Sequence, residues 1–568
     1  MIELDESGSR AAAALRVERA ICAAARSGNR LLAGGVARVE LTDGGERDML
    51  IAALARMGVR LEAAAGSQAE FVFVDQLSDA GRAAAVSGAA AGSRSGEANR
   101  AGPGLAPVIV ALDGGVSSAR GGDAAARIAW AADGMRATAR LAAEFAEVAQ
   151  AGAGSRPRIG VSLVLEPKTA ALTLALADAG CDVALFSAVS ETDPEVAAAL
   201  AADGRVEVFA PTSAEAADEQ GSAALDADHA AAILDWGPEY LVDDGSHLIR
   251  LAHTERPAAL DSLRGAAEET TSGVRPLREM AAEGVLRIPV ITVNDARTKT
   301  DFDNLVGTGQ SCVFAIAELL DRAGWAPPGV GAAPSGTRRY SGSSGYSGVA
   351  GSRWVVIGYG PVGVGTARFA AALGAAVTVV ERDPVRALAA MHDGFEARCA
   401  EEALPLADVV VSATGVWHTL DARGFALLRP GTAVAVAGGI DDELALDELR
   451  AAGWRVQPQV DGVAQWVAPG EEHGPLVLAD GGGVNYTAAE GNPIEVMDLS
   501  FATQLAALTR LMRGDLAPGV HTLTAEDEAR VARAALAVRG GSADPAPSRS
   551  RPGGAAQPWS VHRYRATR

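Results

Sequence analysis

Residues 293–304, VNDARTKTDFDN, set Lys299, Asp303, Asn294 and Asn304 just beyond an apolar run, Ile288 to Val293, that reads as a buried strand. An ammonium, a carboxylate and two amides at a strand end can hold hydroxyl groups and move protons on and off them. The same residues also read as a polar loop opening a helix, with Asp301 or Asp303 in its first turn. A second group carries a more specific signal. Gly358, Gly360 and Gly363, with Pro361 and Val362 between them, follow the strand-like run from Trp354 and open a helix, and Glu381 ends the next strand roughly twenty residues on. The first glycine permits a tight turn, the second lets backbone approach a pyrophosphate, and the third allows close helix packing. The helix N-terminus attracts the phosphates. Glu381 would bond ribose hydroxyls and repel a 2′-phosphate, so the expected cofactor is NAD.

The elements that must position these groups are legible as alternating strands and helices. RIGVSLVL, DVALFSA, VEVFA, EYLVDDG and IPVITV read as strands separated by Ala-rich helices between about 123 and 295. Such alternation implies a parallel sheet covered on both faces. Beyond Trp354 the further strands DVVVSATG and TAVAVAGG complete a Rossmann-type sheet. Residues 36–75 give VARVEL, ERDMLIAALARMG and EFVFVD, a small βαβ-like unit. The expected fold class is α/β: a Rossmann-type NAD domain, a second parallel α/β substrate domain and an extra small N-terminal α/β unit. Gly-, Ser-, Pro- and Ala-rich stretches at 87–104, 326–352 and 540–558 read as linkers or mobile loops. The expected boundaries are 1–122 for the extension and 123–300 with 492–539 for the substrate domain. The NAD domain is expected over 301–491, with an insertion at 326–352, and a tail over 540–568.

Composition narrows the class. A chain of 568 residues exceeds one core, and 48% hydrophobic residues can fill several. A net charge of −21 argues against nucleic acid or an anionic membrane as partner. Cys22, Cys181, Cys312 and Cys399 form no CxxC pair, so no metal site or disulfide framework is expected. With no signal-like or spanning run, a cytoplasmic protein is expected.

Together with the Gly-rich turn, DDG (243–245), EETTSGV (268–274), VNDARTKTDFDNL (293–305), QPQVDG (457–462) and NPIEVMDLSFATQ (492–504) occur in an order that resembles the S-adenosylhomocysteine hydrolase family, from about Trp130 to His521. The resemblance implies a reaction in which the ribose 3′-hydroxyl is oxidised by bound NAD, the acidified 4′-proton is removed and the 5′-substituent leaves. Water then adds and the ketone is reduced again. It implies Lys299 as the base near the 3′-oxygen, oriented by Asn294, with Asp303 on the ribose hydroxyls and Glu269 on the 2′-side. Asn304, Thr270, Thr271 and Ser272 are implied beside the nicotinamide half, with Thr414 and Asn485 as further cofactor contacts. Asp244 is implied near the 5′-position. The lysine, to serve as a base, is expected to be desolvated or crowded by another cation.

Departures cluster on the substrate-end side. Val164 and Gly439 stand where the family carries histidines, and Asn492 replaces a third in the turn that closes on the adenine. In AVSETDP only Thr192 matches the family's substrate motif, while Glu166 and Lys168 fit variants of it. His247, in DDGSHL, is either a loop histidine or a replacement acid–base group. The favoured expectation is therefore a nucleoside dehydratase that eliminates water from an adenine-type nucleoside. The alternatives are an ordinary adenosylhomocysteinase and a non-catalytic NAD-binding regulator. The resemblance further implies a homo-oligomer, dimer or tetramer, in which a tail such as VHRYRATR, with Tyr564, reaches a neighbour's NAD.

Overall fold

The computed structural model describes residues 2–62, 69–77, 105–151, 156–213, 219–328, 347–438 and 442–544. The stretch 87–104, most of 326–352 and 540–558, Gly439 and the tail with Tyr564 lie outside the described residues.

Among the described residues the strands form three sheets. The first has seven parallel strands in the spatial order Gly519–His521, Pro289–Thr292, Gly265–Glu268, Tyr240–Asp243, Arg158–Ser162, Asp182–Phe186 and Val206–Phe209. The chain therefore winds outward from Arg158–Ser162 and then returns beside it with Tyr240–Asp243. The order reverses between these two strands, which opens a crevice beyond their C-terminal ends. The second sheet repeats the scheme. Trp354 lies in its first strand, Arg353–Ile357, and the order runs Glu396–Ala397, Ala376–Val380, Arg353–Ile357, Val409–Ser412, Ala433–Val436, then Leu476–Leu478, Val463–Val467 and Arg455–Val460. The last two pairings are antiparallel. Its reversal lies between Arg353–Ile357 and Val409–Ser412, directly before Gly358 and Thr414. The central strands of both sheets are buried on both faces, as their near-continuous aliphatic runs require, while edge strands such as Gly519–His521 and Arg455–Val460 are partly exposed.

The N-terminal unit is larger than its sequence suggests. Its sheet has five strands, Arg60–Leu61, Val36–Glu40, Phe71–Val74, Val108–Ala111 and Val116–Ser117, and a helix spans Ile2–Gly28. The two last strands follow a low-complexity stretch, which hides them from a reading of 36–75 alone. The helix shares one core with the Rossmann-type sheet: Ile21, Phe71 and Phe73 pack in the same cluster as Phe314, Trp325 and Trp354. The flank of the long insertion is ordered as well. Val349 is buried and its N–H donates to Glu18 Oε2 at 2.7 Å.

Candidate active site

The opening stretch folds as a continuous helical path with a change of pitch. Val293–Asp295 forms a 3₁₀ turn, Arg297–Lys299 an α turn, Thr300–Gly307 a π-helical segment, and Thr308–Arg322 a regular helix. The helix thus opens earlier than Asp301, and the wider pitch brings Asp303 and Asn304 inward. Single π turns of this kind recur at functional sites. Lys299 Nζ donates to Asn304 Oδ1 at 2.5 Å and lies 3.1 Å from Asp303 Oδ2, with the lysine only 3% exposed. Asn304 Nδ2 donates to Asn294 Oδ1 at 3.0 Å, and Thr271 Oγ1 donates to the same oxygen at 3.0 Å. Asn492 Nδ2 donates to Asp303 Oδ1 at 2.6 Å and to Thr308 Oγ1 at 2.9 Å.

A cleft of about 1750 Å³ joins the two crevices. It is lined by Asp244, His247, Glu269, Lys299, Asp303 and Asn304 on one side and by Gly358, Gly360, Glu381 and Thr414 on the other. Glu166, Lys168, Thr270, Thr271, Ser272, Pro361, Val362, Asn485 and Asn492 complete the set of expected residues on its walls. Three expected residues are not on the lining. Asn294 stands behind Asn304 and reaches the lysine only through it. Thr192 spends its hydroxyl on Ala188 O at 2.7 Å, because this segment is bridged to Leu165; Ser190 and Glu191 face the cleft instead. Gly363 packs behind the turn, where a Cβ would meet Gly358 O at 2.0 Å. Glu166 and Lys168 are paired with each other, Nζ to Oε2 at 2.5 Å, and Lys168 Nζ also donates to Glu490 O at 2.9 Å.

The electrostatics correct one expectation. Burial pushes the Lys299 ammonium down, but Asp303, Glu269 and Asp244 outweigh it and hold its pKa above the ordinary value. The lysine is desolvated, as one of the two expected routes had it, but the charges that crowd it are carboxylates. Burial pushes Glu269 up to about 7, opposed by Lys299 and aided by Asp303. One Glu269 oxygen accepts from Gln504 Nε2, and the other has no partner among the described residues. Asp244 is raised by burial, with Thr270 and Lys299 opposing. His247 is exposed at the start of the helix His247–Thr254, its ring folded over Gly245, whose φ is +71°.

Two acids escaped the reading of the sequence as site residues. Glu268 lies beside Asp243 in register at adjacent strand ends, and accepts from the N–H groups of Gly245, Ser246 and Thr270 at 3.0, 2.8 and 3.0 Å. It thereby fixes the loop that presents Asp244; the double acids in DDG and EETT were the available signal. Glu443 accepts from Ser412 Oγ, from Thr414 N at 3.2 Å and from Gly415 N at 3.0 Å, shaping the loop after Val409–Ser412. Nothing in its surroundings, DDELALDE, marks it.

The Gly-rich turn fits a dinucleotide. Gly358 has φ +95°, and a Cβ there would lie 2.9 Å from Ala413 O, so the turn accepts no side chain. No side chain caps the helix Pro361–Ala372 at Gly360, which leaves its N-terminus to a phosphate. Glu381 stands at the rim, its oxygens accepting from Tyr359 N at 2.6 Å and Asp383 N at 2.9 Å. A family model described as S-adenosyl-L-homocysteine hydrolase, NAD binding domain, matches residues 345–491. An adenosylhomocysteinase of Thermotoga maritima is 36% identical over 386 residues, covering 66% of this chain and 86% of that protein. The chain belongs to the S-adenosylhomocysteine hydrolase family. An adenosylhomocysteinase of Thermococcus kodakarensis is 37% identical over 387 residues, covering 67% of this chain and 84% of that protein. An S-inosyl-L-homocysteine hydrolase of Methanothermobacter thermautotrophicus is 33% identical over 423 residues, covering 73% and 91%. Membership of this family makes NAD the cofactor and indicates an NAD-dependent function of the adenosylhomocysteinase type. The expected elimination of water finds no support among these relatives.

Proposed function

We propose that this protein cleaves a purine-nucleoside 5′-thioether of homocysteine, in the manner of an adenosylhomocysteinase. The observation that carries this reading is the gathering of Lys299, Asp303, Glu269 and Asp244 on one wall of the cleft, opposite the dinucleotide turn. Bound NAD supplies the acceptor and later the donor of the 3′-hydride. Gly358, Gly360 and Glu381 would hold it, with Thr414 and Asn485 as further contacts and Thr270, Thr271, Ser272 and Asn304 toward its reactive end.

The chain's own residues handle the protons. Lys299 and Asp303 act as one unit: the ammonium steadies charge developing on the 3′-oxygen, and the carboxylate holds the adjoining hydroxyls. Glu269 changes charge near neutral pH, so it can accept from or donate to the 2′-hydroxyl. Asp244 and His247, both on the cleft lining, would exchange protons on the 5′-side, where Val164 offers no ionisable group. Asn492, already bonded to Asp303, links the sugar end to the turn that would face the base. Relatives named for adenosyl and inosyl substrates support an adenine or hypoxanthine base as the substrate class.

The test is optical. Adding adenosine to the NAD-loaded protein is expected to raise an NADH-like absorbance, and Lys299→Met is expected to abolish the rise while NAD stays bound. An unchanged spectrum would defeat the redox reading and return the regulator. The water-losing reading has the three replaced histidines, at Val164, Gly439 and Asn492, in its favour, and product analysis separates it.

A further inference from the structure

The segment 488–495 carries Gly491 and Asn492 of the cleft's lining and is bonded repeatedly to the N-terminal unit. Arg26 Nη2 donates to Ala488 O at 3.2 Å, and Asn29 Nδ2 to Glu490 O at 2.8 Å. In return Ile494 N donates to Asn29 O at 3.0 Å. Leu31 N donates to Glu495 Oε2 at 2.7 Å, and Arg30 Nε pairs with the other Glu495 oxygen. Arg120 pairs with Glu490 Oε1, which Arg127 also approaches at 3.2 Å. Asn29 takes φ +48° just after the helix Ile2–Gly28 ends, a conformation asparagine tolerates well. Gln310 locks the same stretch to the regular helix behind the catalytic residues, accepting from Leu32 N at 2.8 Å and donating to Arg30 O at 2.9 Å.

On its other face this segment meets the cleft. Gly491 and Asn492 line it, and Glu490 O receives Lys168 Nζ. Asn492 bonds Asp303, whose other oxygen neighbours Lys299. We propose that Asn29, Arg30 and Arg120 of the N-terminal unit are positioning residues of the substrate cleft, acting through Glu490 and Glu495 on Lys168 and Asn492. The unit is a built-in brace behind the segment that carries Gly491 and Asn492. This rests on the cleft being the substrate site.

Arg120→Met removes one partner of a largely buried ion pair without touching the backbone. In the full-length, NAD-loaded protein it is expected to raise KM for the thioether roughly ten-fold, with kcat nearly kept and NAD content unchanged. Arg120→Lys restores much of the loss, and Glu490→Gln combined with Arg120→Met adds little to either alone. Hydrogen exchange of the amides in 485–495 is expected to quicken in Arg120→Met and Glu490→Gln. Unchanged exchange there overturns the proposal, as does faster exchange with an unchanged KM, or equal losses in kcat, KM and NAD content. The exchange measurement needs no substrate. Failure of thioether turnover in the wild type would therefore count against the proposed function, and exchange would still decide the clamp.

Discussion

Lys299 sits among three acids brought from separate elements: Asp303 four residues on, Asp244 after one strand and Glu269 after another. Replacing it with methionine removes an ammonium that offsets them. Turnover is expected to fall by about 10²–10³, the range for losing one donor that stabilises developing charge, with NAD still extractable from the protein. Retained turnover would move the chemistry elsewhere. Glu269 makes a second test. Its folded pKa of about 7 lies above the ordinary glutamate value of about 4.3, so the folded state holds the extra proton between them. Stability from this group is therefore lost as pH rises from about 4.3 toward 7. Glu269→Gln is expected to flatten that fall, gaining on the wild type as pH rises in thermal unfolding scans; parallel profiles would contradict it. Lys299 and Asp303 were legible as charged types just beyond an apolar strand-like run, while Glu269 and Asp244 were reached only through the resemblance. The sign of the lysine's shift was not legible, since it depends on how closely the fold brings Asp303, Glu269 and Asp244 to a buried ammonium, and neither was Glu443, whose partners lie about thirty residues away. Cys312 is inert packing: burial pushes its thiol up to about 12.

The π-helical segment owes its place to a close backbone crossing. A Cβ on Gly365 would lie 1.9 Å from Leu305 O, and one on Gly309 would lie 2.5 Å from the Gly365 carbonyl carbon. The helix that starts at the dinucleotide turn thus rests directly on the segment carrying Asp303 and Asn304. Gly365→Ala is expected to push them apart and cost roughly 1–3 kcal/mol, the range for overpacking. Less NAD should be retained and the thermal midpoint should fall. Gly44→Ala, where a Cβ meets nothing within 4 Å, serves as the control and should change neither; equal behaviour of the two variants would sink this reading. Helix and strand types were readable from apolar periodicity. The π pitch was not, because it is imposed by this crossing. The strand Val108–Ala111 was missed because its partner Phe71–Val74 lies across a low-complexity stretch, and the two-residue strand Val116–Ser117, which pairs back onto Val108–Ala111, is too short to show a period.

At the scale of the molecule, two doubly wound sheets turn their reversal points toward one cleft, and the alternation of strands and helices in the sequence was enough to read both. The partnership of the N-terminal unit with the Rossmann-type core was not readable, since it depends on contacts such as Ile21 with residues some three hundred positions away. A cofactor that binds only the folded chain should raise its thermal midpoint. NAD is expected to raise that of the cofactor-free protein well above the effect of NADP, because Glu381 at the rim repels a 2′-phosphate; equal shifts would remove that role from Glu381. Among the described residues no helix is long and apolar enough to cross a membrane. The most direct test of the central claim is mass spectrometry of the products after the NAD-loaded protein is incubated with S-adenosylhomocysteine and, in parallel, its inosyl analogue. Free homocysteine with the matching nucleoside, from at least one of the two, is the expected result. Recovery of both thioethers intact, with NAD still bound, would contradict it.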